Sequence, residues 1–91
     1  MLKLDITKES VDFIRGLDAK QFKQVMNKVL SLLNNPAQAD SSTLRGYENL
    51  LRVDIGEYRI IYRFNDEQVT VLVIDKRNDD EAYKKLGRKN I

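Results

Sequence analysis

Residues 51–64 read LRVDIGEYRIIYRF and predict a β-hairpin. Apolar and polar residues alternate on both sides of Gly56-Glu57, which is the pattern of two strands joined by a tight turn. With Gly56 and Glu57 at the tip, cross-strand pairing places Asp54 directly opposite Arg59. A slip of one residue would bury every arginine of the hairpin, so the pattern defines the register.

The two faces of this hairpin differ in composition. The apolar face must cover the core and carries Leu51, Val53, Ile55, Tyr58, Ile60 and Tyr62. The opposite face carries Arg52, Asp54, Arg59, Ile61 and Arg63. The sequence therefore predicts a sheet with one side packed on helices and one open side rich in arginine.

The segment before the hairpin predicts one strand and two helices. Lys3–Ile6 alternates as a strand does, and Thr7 is a suitable N-cap for a helix over residues 8–17. Asp18 with Gln21 resembles the capping box that opens a second helix, which ends at Asn34-Asn35-Pro36. Its apolar residues recur at helical spacing and are predicted to lie in the core: Phe22, Val25, Met26, Val29, Leu30 and Leu33. These two helices are expected to form a hairpin over the sheet.

The segments around the hairpin complete the predicted fold. Residues 37–43 are polar and predict a loop, Val69–Ile74 predicts a third strand, and residues 79–89 predict a last helix. With Phe64 opposite Val69, Arg59 would lie opposite Ile74. The predicted class is α+β in a single domain over residues 1–91: an N-terminal strand, a two-helix hairpin, a three-stranded antiparallel meander and a short C-terminal helix.

Composition excludes several kinds of chemistry. The 91 residues contain no Cys and no His, so disulfides, thiolate nucleophiles, Ser-His-Asp triads and Cys- or His-ligated metals are excluded. No metal site and no cofactor is predicted. No apolar run reaches the roughly 20 residues that cross a bilayer, and we expect a cytoplasmic protein without membrane association.

The arginines concentrate in the second half of the chain. All of them except Arg15 follow residue 44, whereas the net charge is only +2. The planar guanidinium fork matches phosphate oxygens, so this distribution points to an anionic ligand. The alternative is that these arginines form ordinary surface ion pairs.

Three of these arginines are predicted to converge. Arg52 and Arg59 share the open face, Arg77 follows the third strand at its rim, and Tyr83 lies six residues further on. Such a cluster suits a phosphate flanked by a ribose, because RNA supplies its own nucleophile in the 2′-OH. Tyr83 would stack on a base or take part in proton transfer. The alternative is an exposed sheet face whose arginines pair with Asp54 and Glu57.

The acidic run Asp79-Asp80-Glu81 has two interpretations. Clustered carboxylates are ligands for magnesium. Acidic residues in the first turn also complement a helix dipole, and this second interpretation is favoured here.

At these residues the chain resembles the RelE toxins of the RelE/ParE superfamily of bacterial toxin–antitoxin systems. The resemblance rests on Leu44-Arg45-Gly46, on residues 51–62, on the strand Val69–Ile74, and on Arg77 and Tyr83. It implies a toxin that acts as a ribosome-dependent mRNA endonuclease in the decoding site, by metal-independent attack of the 2′-OH on the scissile phosphate. This activity would inhibit translation.

The resemblance also implies roles for individual residues. Arg59 and Arg77 would hold the scissile phosphate and Tyr83 would act on the nucleotide, while Arg52 matches a further basic active-site position. Contacts to RNA are expected from Arg45, Arg63 and Lys76. Asp54 departs from the family, whose best-known members carry a basic residue there. It is interpreted either as a brake that cancels part of the Arg59 charge or as a general base.

Two other functions remain open at this stage. The ParE branch shares the fold and inhibits DNA gyrase without enzymatic activity, and an inert interaction domain would use its arginines only in ion pairs. The resemblance implies a cognate antitoxin as partner, with operator DNA contacted only through the antitoxin complex. We expect that antitoxin to cover the arginine face beside an apolar rim of Ile61, Leu72 and Ile74, or to displace a weakly docked last helix.

Overall fold

A computed structural model describes residues 1–89, apart from the side chain of Asp79. The strands are β1 (Lys3–Ile6), β2 (Ser42–Thr43), β3 (Leu51–Ile55), β4 (Tyr58–Phe64) and β5 (Gln68–Lys76). The helices are α1 (Lys8–Arg15), α2 (Ala19–Leu32) and α3 (Glu81–Gly87), with a 3-10 turn at Asn78–Asp80. The predicted α+β class and the order of its main elements are confirmed. Within the described residues, no helix has the length and apolar character needed to span a membrane.

The five strands form one sheet in the order β1-β5-β4-β3-β2. Strand β1 runs parallel to β5 and the other neighbours are antiparallel. The β3–β4 register confirms the hairpin prediction, with Asp54 opposite Arg59 and Arg52 opposite Ile61. Gly56 at the tip has φ +57°, a left-handed conformation that glycine adopts without strain. Arg52 and Arg59 therefore share one face, as predicted.

The two predicted caps fix the starts of α1 and α2. Thr7 Oγ1 accepts a hydrogen bond from Ser10 N at 3.2 Å, and Asp18 Oδ1 accepts one from Gln21 N at 2.8 Å. Both helices pack on the apolar face of the sheet, where Ile60 and Tyr62 are fully buried. This side of the molecule forms the larger core.

The apolar stripe of α2 is only partly in that core. Phe22 and Leu30 were predicted to be buried, but their exposed fractions are 39% and 47%. Leu32, which was not in the predicted stripe, is fully buried instead. The apolar residues of α2 extend around more of the helix surface than the sheet covers, so the residues at the edges of the apolar stripe face solvent.

Strand β2 is a correction to the sequence prediction. Residues 37–43 were predicted as a loop, but Ser42 and Thr43 pair with Arg52 and Leu51 of β3. Two polar, exposed residues carry no alternation that would mark a strand. The strand forms because β3 offers an open edge, which is a tertiary effect.

A β-bulge corrects the predicted register of β5. Phe64 lies opposite Val69 as expected, but the pairing shifts between Ile61 and Tyr62, and Arg59 lies opposite Asp75 rather than Ile74. The extra residue on β5 reverses the facing of every later residue in the strand. Ile74 consequently points into the core beneath α1 and α2.

A second, smaller apolar cluster lies on the other side of the sheet. Ala82 and Leu86 of α3 are each 1% exposed and pack over Ile61, Leu72 and Val73, next to Leu44 and Leu50. The predicted apolar rim of Ile61, Leu72 and Ile74 is thus wrong, because all three side chains are buried. Burial of Ala82 and Leu86 shows that the last helix docks on this face, and the weakness of that docking stays a prediction.

Candidate functional site

The central feature of the site is a hydrogen-bonded group of Asp54, Arg59 and Tyr83. Arg59 donates to Asp54 through Nε at 2.7 Å and through Nη2 at 3.1 Å, so the pair is bidentate. Arg59 Nη1 donates to Tyr83 Oη at 2.8 Å, and the guanidinium carbon lies 5.0 Å from the centre of the Tyr83 ring. The cross-strand pair predicted from the hairpin is therefore joined by a side chain from α3.

Hydrogen bonds and opposite charges stabilise this group, which is partly shielded from solvent. The Arg59 side chain is 12% exposed and the Asp54 side chain 32%. Hydrogen bonds from Arg59 lower the pKa of Asp54 against the opposing effect of burial, and the charges of Arg52 and Arg77 lower it further. The hydrogen bonds to Asp54 in turn raise the pKa of Arg59. The ion pair is consequently fully formed at neutral pH.

Arg52 and Arg77 flank this group. Arg52 precedes Asp54 by two residues on the same face of β3, and Arg77 directly follows β5; the charges of both lower the pKa of Asp54. Arg52 borders a shallow cavity of about 180 Å³ together with Asp54, Asp40 and Ser42. Arg77 is exposed, and its backbone N–H donates to Glu57 O at 2.9 Å, which holds the end of β5 beside the hairpin tip. Arg59 and Tyr83 are in direct contact and Arg52 lies on the same face of the sheet, while the convergence of Arg77 with them stays a prediction.

Sequence reasoning missed a second ion pair beside the site. Asp75 lies opposite Arg59, is 6% exposed, and pairs with Lys85 of α3 at 2.5 Å. Lys85 Nζ also lies 4.7 Å from the centre of the Phe13 ring on α1. This pair joins α3 to the sheet next to Tyr83. No sequence pattern marks this pair, because it depends on the bulge in β5, and the bulge lies within an unbroken apolar run.

The three residues predicted to contact RNA lie on different elements of the fold. Arg45 is exposed in the loop between β2 and β3. Arg63 is exposed on the same face as Arg59 but four residues further along β4, a separation of about 13 Å. Lys76 lies opposite Tyr58, so its register position belongs to the helical side of the sheet. Arg63 lines a shallow cavity together with Gly46, the residue after Arg45, and the predicted RNA contacts of all three residues stay predictions.

The acidic run before α3 is described only in part. Glu81 opens α3 and pairs with Lys84 at 3.5 Å, consistent with a role in the first helical turn. The negative charge of Asp80 raises the pKa of Arg59. The side chain of Asp79 lies outside the described residues. Within those residues, no three carboxylates come together as metal ligands.

The Asp54–Arg59 pair predicts a specific acid sensitivity. A carboxyl group whose pKa is lowered by folding stabilises the folded protein at pH values above its ordinary pKa of 3.8. This stabilisation is lost as the pH falls through the lower pKa of the folded state. In that window the unfolded chain binds more protons, so the free energy of unfolding decreases with falling pH. Asp54→Asn should flatten this decrease in urea unfolding between about pH 6 and about pH 2.

The matched control is Asp12→Asn, which removes an exposed carboxylate from α1 on the other side of the sheet. A pH slope reduced equally by both substitutions would assign the effect to net charge rather than to the ion pair.

Comparison with known proteins identifies the family. A family profile described as "ParE toxin of type II toxin-antitoxin system, parDE" matches residues 4–81. Among curated proteins, the search finds no match. A variant of the Escherichia coli toxin RelE in which two arginines are replaced by alanine, solved in the free state, superposes with a TM-score of 0.79 at 21% identity. The match covers 99% of this chain and 98% of that one.

Two further solved structures show the same fold. The archaeal RelE–RelB complex from Pyrococcus horikoshii OT3 has a TM-score of 0.74 at 24% identity, covering 86% of this chain and 97% of that chain. The YoeB dimer from Staphylococcus aureus has a TM-score of 0.70 at 15% identity, covering 84% and 97%. The profile match spans most of the chain, and the chain therefore belongs to the ParE toxin family of type II toxin–antitoxin systems, within the RelE/ParE superfamily.

Proposed function

We propose that this toxin cleaves mRNA on the ribosome. The observation that carries the proposal is the direct contact of Arg59 with Tyr83 on the sheet face that also carries Arg52, with Arg77 directly after the neighbouring strand β5. In the proposed arrangement these guanidinium groups and the phenol would provide positive charge and a hydroxyl for a phosphodiester.

The proposed reaction uses the substrate's own nucleophile. The 2′-hydroxyl of the ribose releases its proton to water as its oxygen attacks the adjacent phosphorus. The bond from phosphorus to the 5′-oxygen breaks, the 5′-oxygen takes up a proton from water, and a 2′,3′-cyclic phosphate and a 5′-hydroxyl result. The transition state carries extra negative charge on the phosphate oxygens, which Arg77 and Arg52 neutralise from positions beside the group. Arg, Tyr and substrate groups suffice for this reaction, which fits a chain that contains no histidine.

The proposed partners are a cognate antitoxin, the ribosome and mRNA in the decoding site. The antitoxin is supported by the family and by a structural neighbour that was solved as a RelE–RelB complex. Exposed Arg77 and half-buried Arg52 offer an acidic segment of the antitoxin the same charges that RNA would use. Contact with operator DNA would be made by the antitoxin.

One observation favours a second candidate, a gyrase inhibitor without enzymatic activity. Asp54 occupies one edge of the Arg59 guanidinium and cancels part of its charge, and the matching family profile is that of ParE. An arginine neutralised by its own chain contributes less to phosphate binding.

Parallel assays distinguish the two candidates. Purified toxin is added to ribosomes that carry a defined mRNA, and the new 5′ ends are mapped, while the same preparation is tested in a gyrase supercoiling reaction. We expect cleavage within the decoding site and unchanged supercoiling. Inhibited supercoiling with intact mRNA would replace the nuclease by the gyrase inhibitor.

A further inference from the structure

The Arg59 guanidinium has already committed most of its hydrogen bonds. An arginine carries five N–H donors and no acceptor. Asp54 takes two of these donors through Nε and Nη2, and Tyr83 takes one through Nη1. The edge formed by Nε and Nη2 therefore faces Asp54, and Arg59 cannot offer that edge to a phosphate while the pair persists. Because Asp54 holds Arg59 in place, Arg59 can in turn hold the neighbouring Tyr83 side chain.

The contact with Arg59 also defines how the Tyr83 hydroxyl acts. Because arginine only donates, the Tyr83 oxygen is the acceptor of this hydrogen bond, and its own proton must point elsewhere. The ring lies against the guanidinium, so its plane is restrained as well. Tyr83 is thus held as an O–H donor directed away from Arg59.

We propose that Asp54 is a positioning residue, which fixes Arg59 and, through Arg59, fixes Tyr83 as a hydrogen-bond donor to the phosphate of the substrate. The substrate in this inference rests on the proposed function, whereas the order Asp54, Arg59, Tyr83 rests on the hydrogen bonds. Asp54 is more than a brake in this arrangement, because removing it releases the side chain that holds Tyr83.

The surroundings of Asp54 argue against the general-base role. Both of its oxygens receive hydrogen bonds from Arg59, and the lowered pKa makes the carboxylate a weak proton acceptor. Among the described side chains, the charges of Arg52 and Arg77 also act on Asp54, that of Asp80 acts on Arg59, and the Asp75–Lys85 pair lies beside the group. Lys85 is committed to Asp75, so it does not substitute for Arg59 as the partner of Tyr83.

A double-mutant cycle tests the relay by cleavage rate. Asp54→Asn should slow cleavage about tenfold in the wild-type background and less than about twofold in Tyr83→Phe, since contacting residues of one network are coupled. In Arg77→Ala the full loss should remain, because Arg77 is not part of the relay. Faster cleavage by Asp54→Asn would establish the brake, and equal losses in all three backgrounds would overturn the relay.

Nuclear magnetic resonance of the free protein tests the relay without any enzymatic activity. We expect the Arg59 Nε–H signal to be protected from exchange in the wild type and in Tyr83→Phe, and to lose protection in Asp54→Asn. The Tyr83 ring signals should shift in Asp54→Asn and stay unchanged in Asp12→Asn. Unchanged ring signals in Asp54→Asn would overturn the positioning role. If wild-type protein gave the expected signals but cleaved no mRNA, the proposed function would be rejected and the positioning role of Asp54 would stand.

Discussion

Arg77→Ala is expected to slow cleavage of ribosome-bound mRNA by about 30- to 1,000-fold, the loss of about 2–4 kcal/mol that follows removal of one preorganised charge donor. The Arg77 side chain is exposed, so the free energy of unfolding should stay within about 0.5 kcal/mol of wild type. The measurement is single-turnover cleavage with toxin in excess over programmed ribosomes.

Arg59→Ala should show a loss of similar size together with a loss of stability. It leaves the Asp54 carboxylate without its partner on a partly buried face, which costs about 1–3 kcal/mol. The matched control is Arg15→Ala, which removes an exposed arginine from α1. Wild-type cleavage rates in both Arg59→Ala and Arg77→Ala would contradict the assignment of the site.

Leu86→Ala is expected to destabilise the protein by about 2–5 kcal/mol, the usual cost of truncating a buried leucine. Leu86 is 1% exposed and, with Ala82, anchors a helix of seven residues over the sheet. Because α3 carries Tyr83, partial undocking should also reduce cleavage. Urea unfolding and the cleavage assay on the same preparation measure the two effects.

The control for Leu86→Ala is Lys84→Ala on the exposed side of α3. Lys84 forms an exposed ion pair with Glu81 at 3.5 Å, so its removal should change stability by less than about 0.5 kcal/mol. A loss below about 1 kcal/mol in Leu86→Ala would mean that α3 contributes little to the fold, contrary to its burial.

The sequence predicted those parts of the fold that are encoded by local patterns. The alternation in residues 51–64 fixed the β3–β4 register and the shared face of Arg52 and Arg59. Thr7 and Asp18 marked the starts of two helices because each side chain bonds to a nearby backbone amide.

The remaining features depend on tertiary contacts. Val69–Ile74 is apolar throughout, so no alternation reveals the bulge that places Asp75 opposite Arg59. The docking of α3 depends on Ala82 and Leu86, which are two apolar residues in a mostly charged segment. The Lys85–Asp75 pair requires both the bulge in β5 and the docking of α3, so the sequence pattern did not predict it.

The candidate site was predicted in a similar way. The Asp54–Arg59 pair followed from register alone, while the place of Tyr83 followed from its sequence position and the family resemblance. That Asp54, Arg59 and Tyr83 form one hydrogen-bonded chain could not be derived, because it requires the path of the chain from β5 through the 3-10 turn into α3.

The most direct test of the proposed activity is cleavage of an mRNA that carries a single 2′-deoxyribose immediately 5′ to the mapped scissile phosphate, loaded on ribosomes beside the all-ribose message. We expect the substituted position to resist cleavage completely while the all-ribose message is cut, with the 5′ fragment ending in a 2′,3′-cyclic phosphate. Equal cleavage of both messages would contradict attack by the 2′-OH and with it the proposed nuclease mechanism.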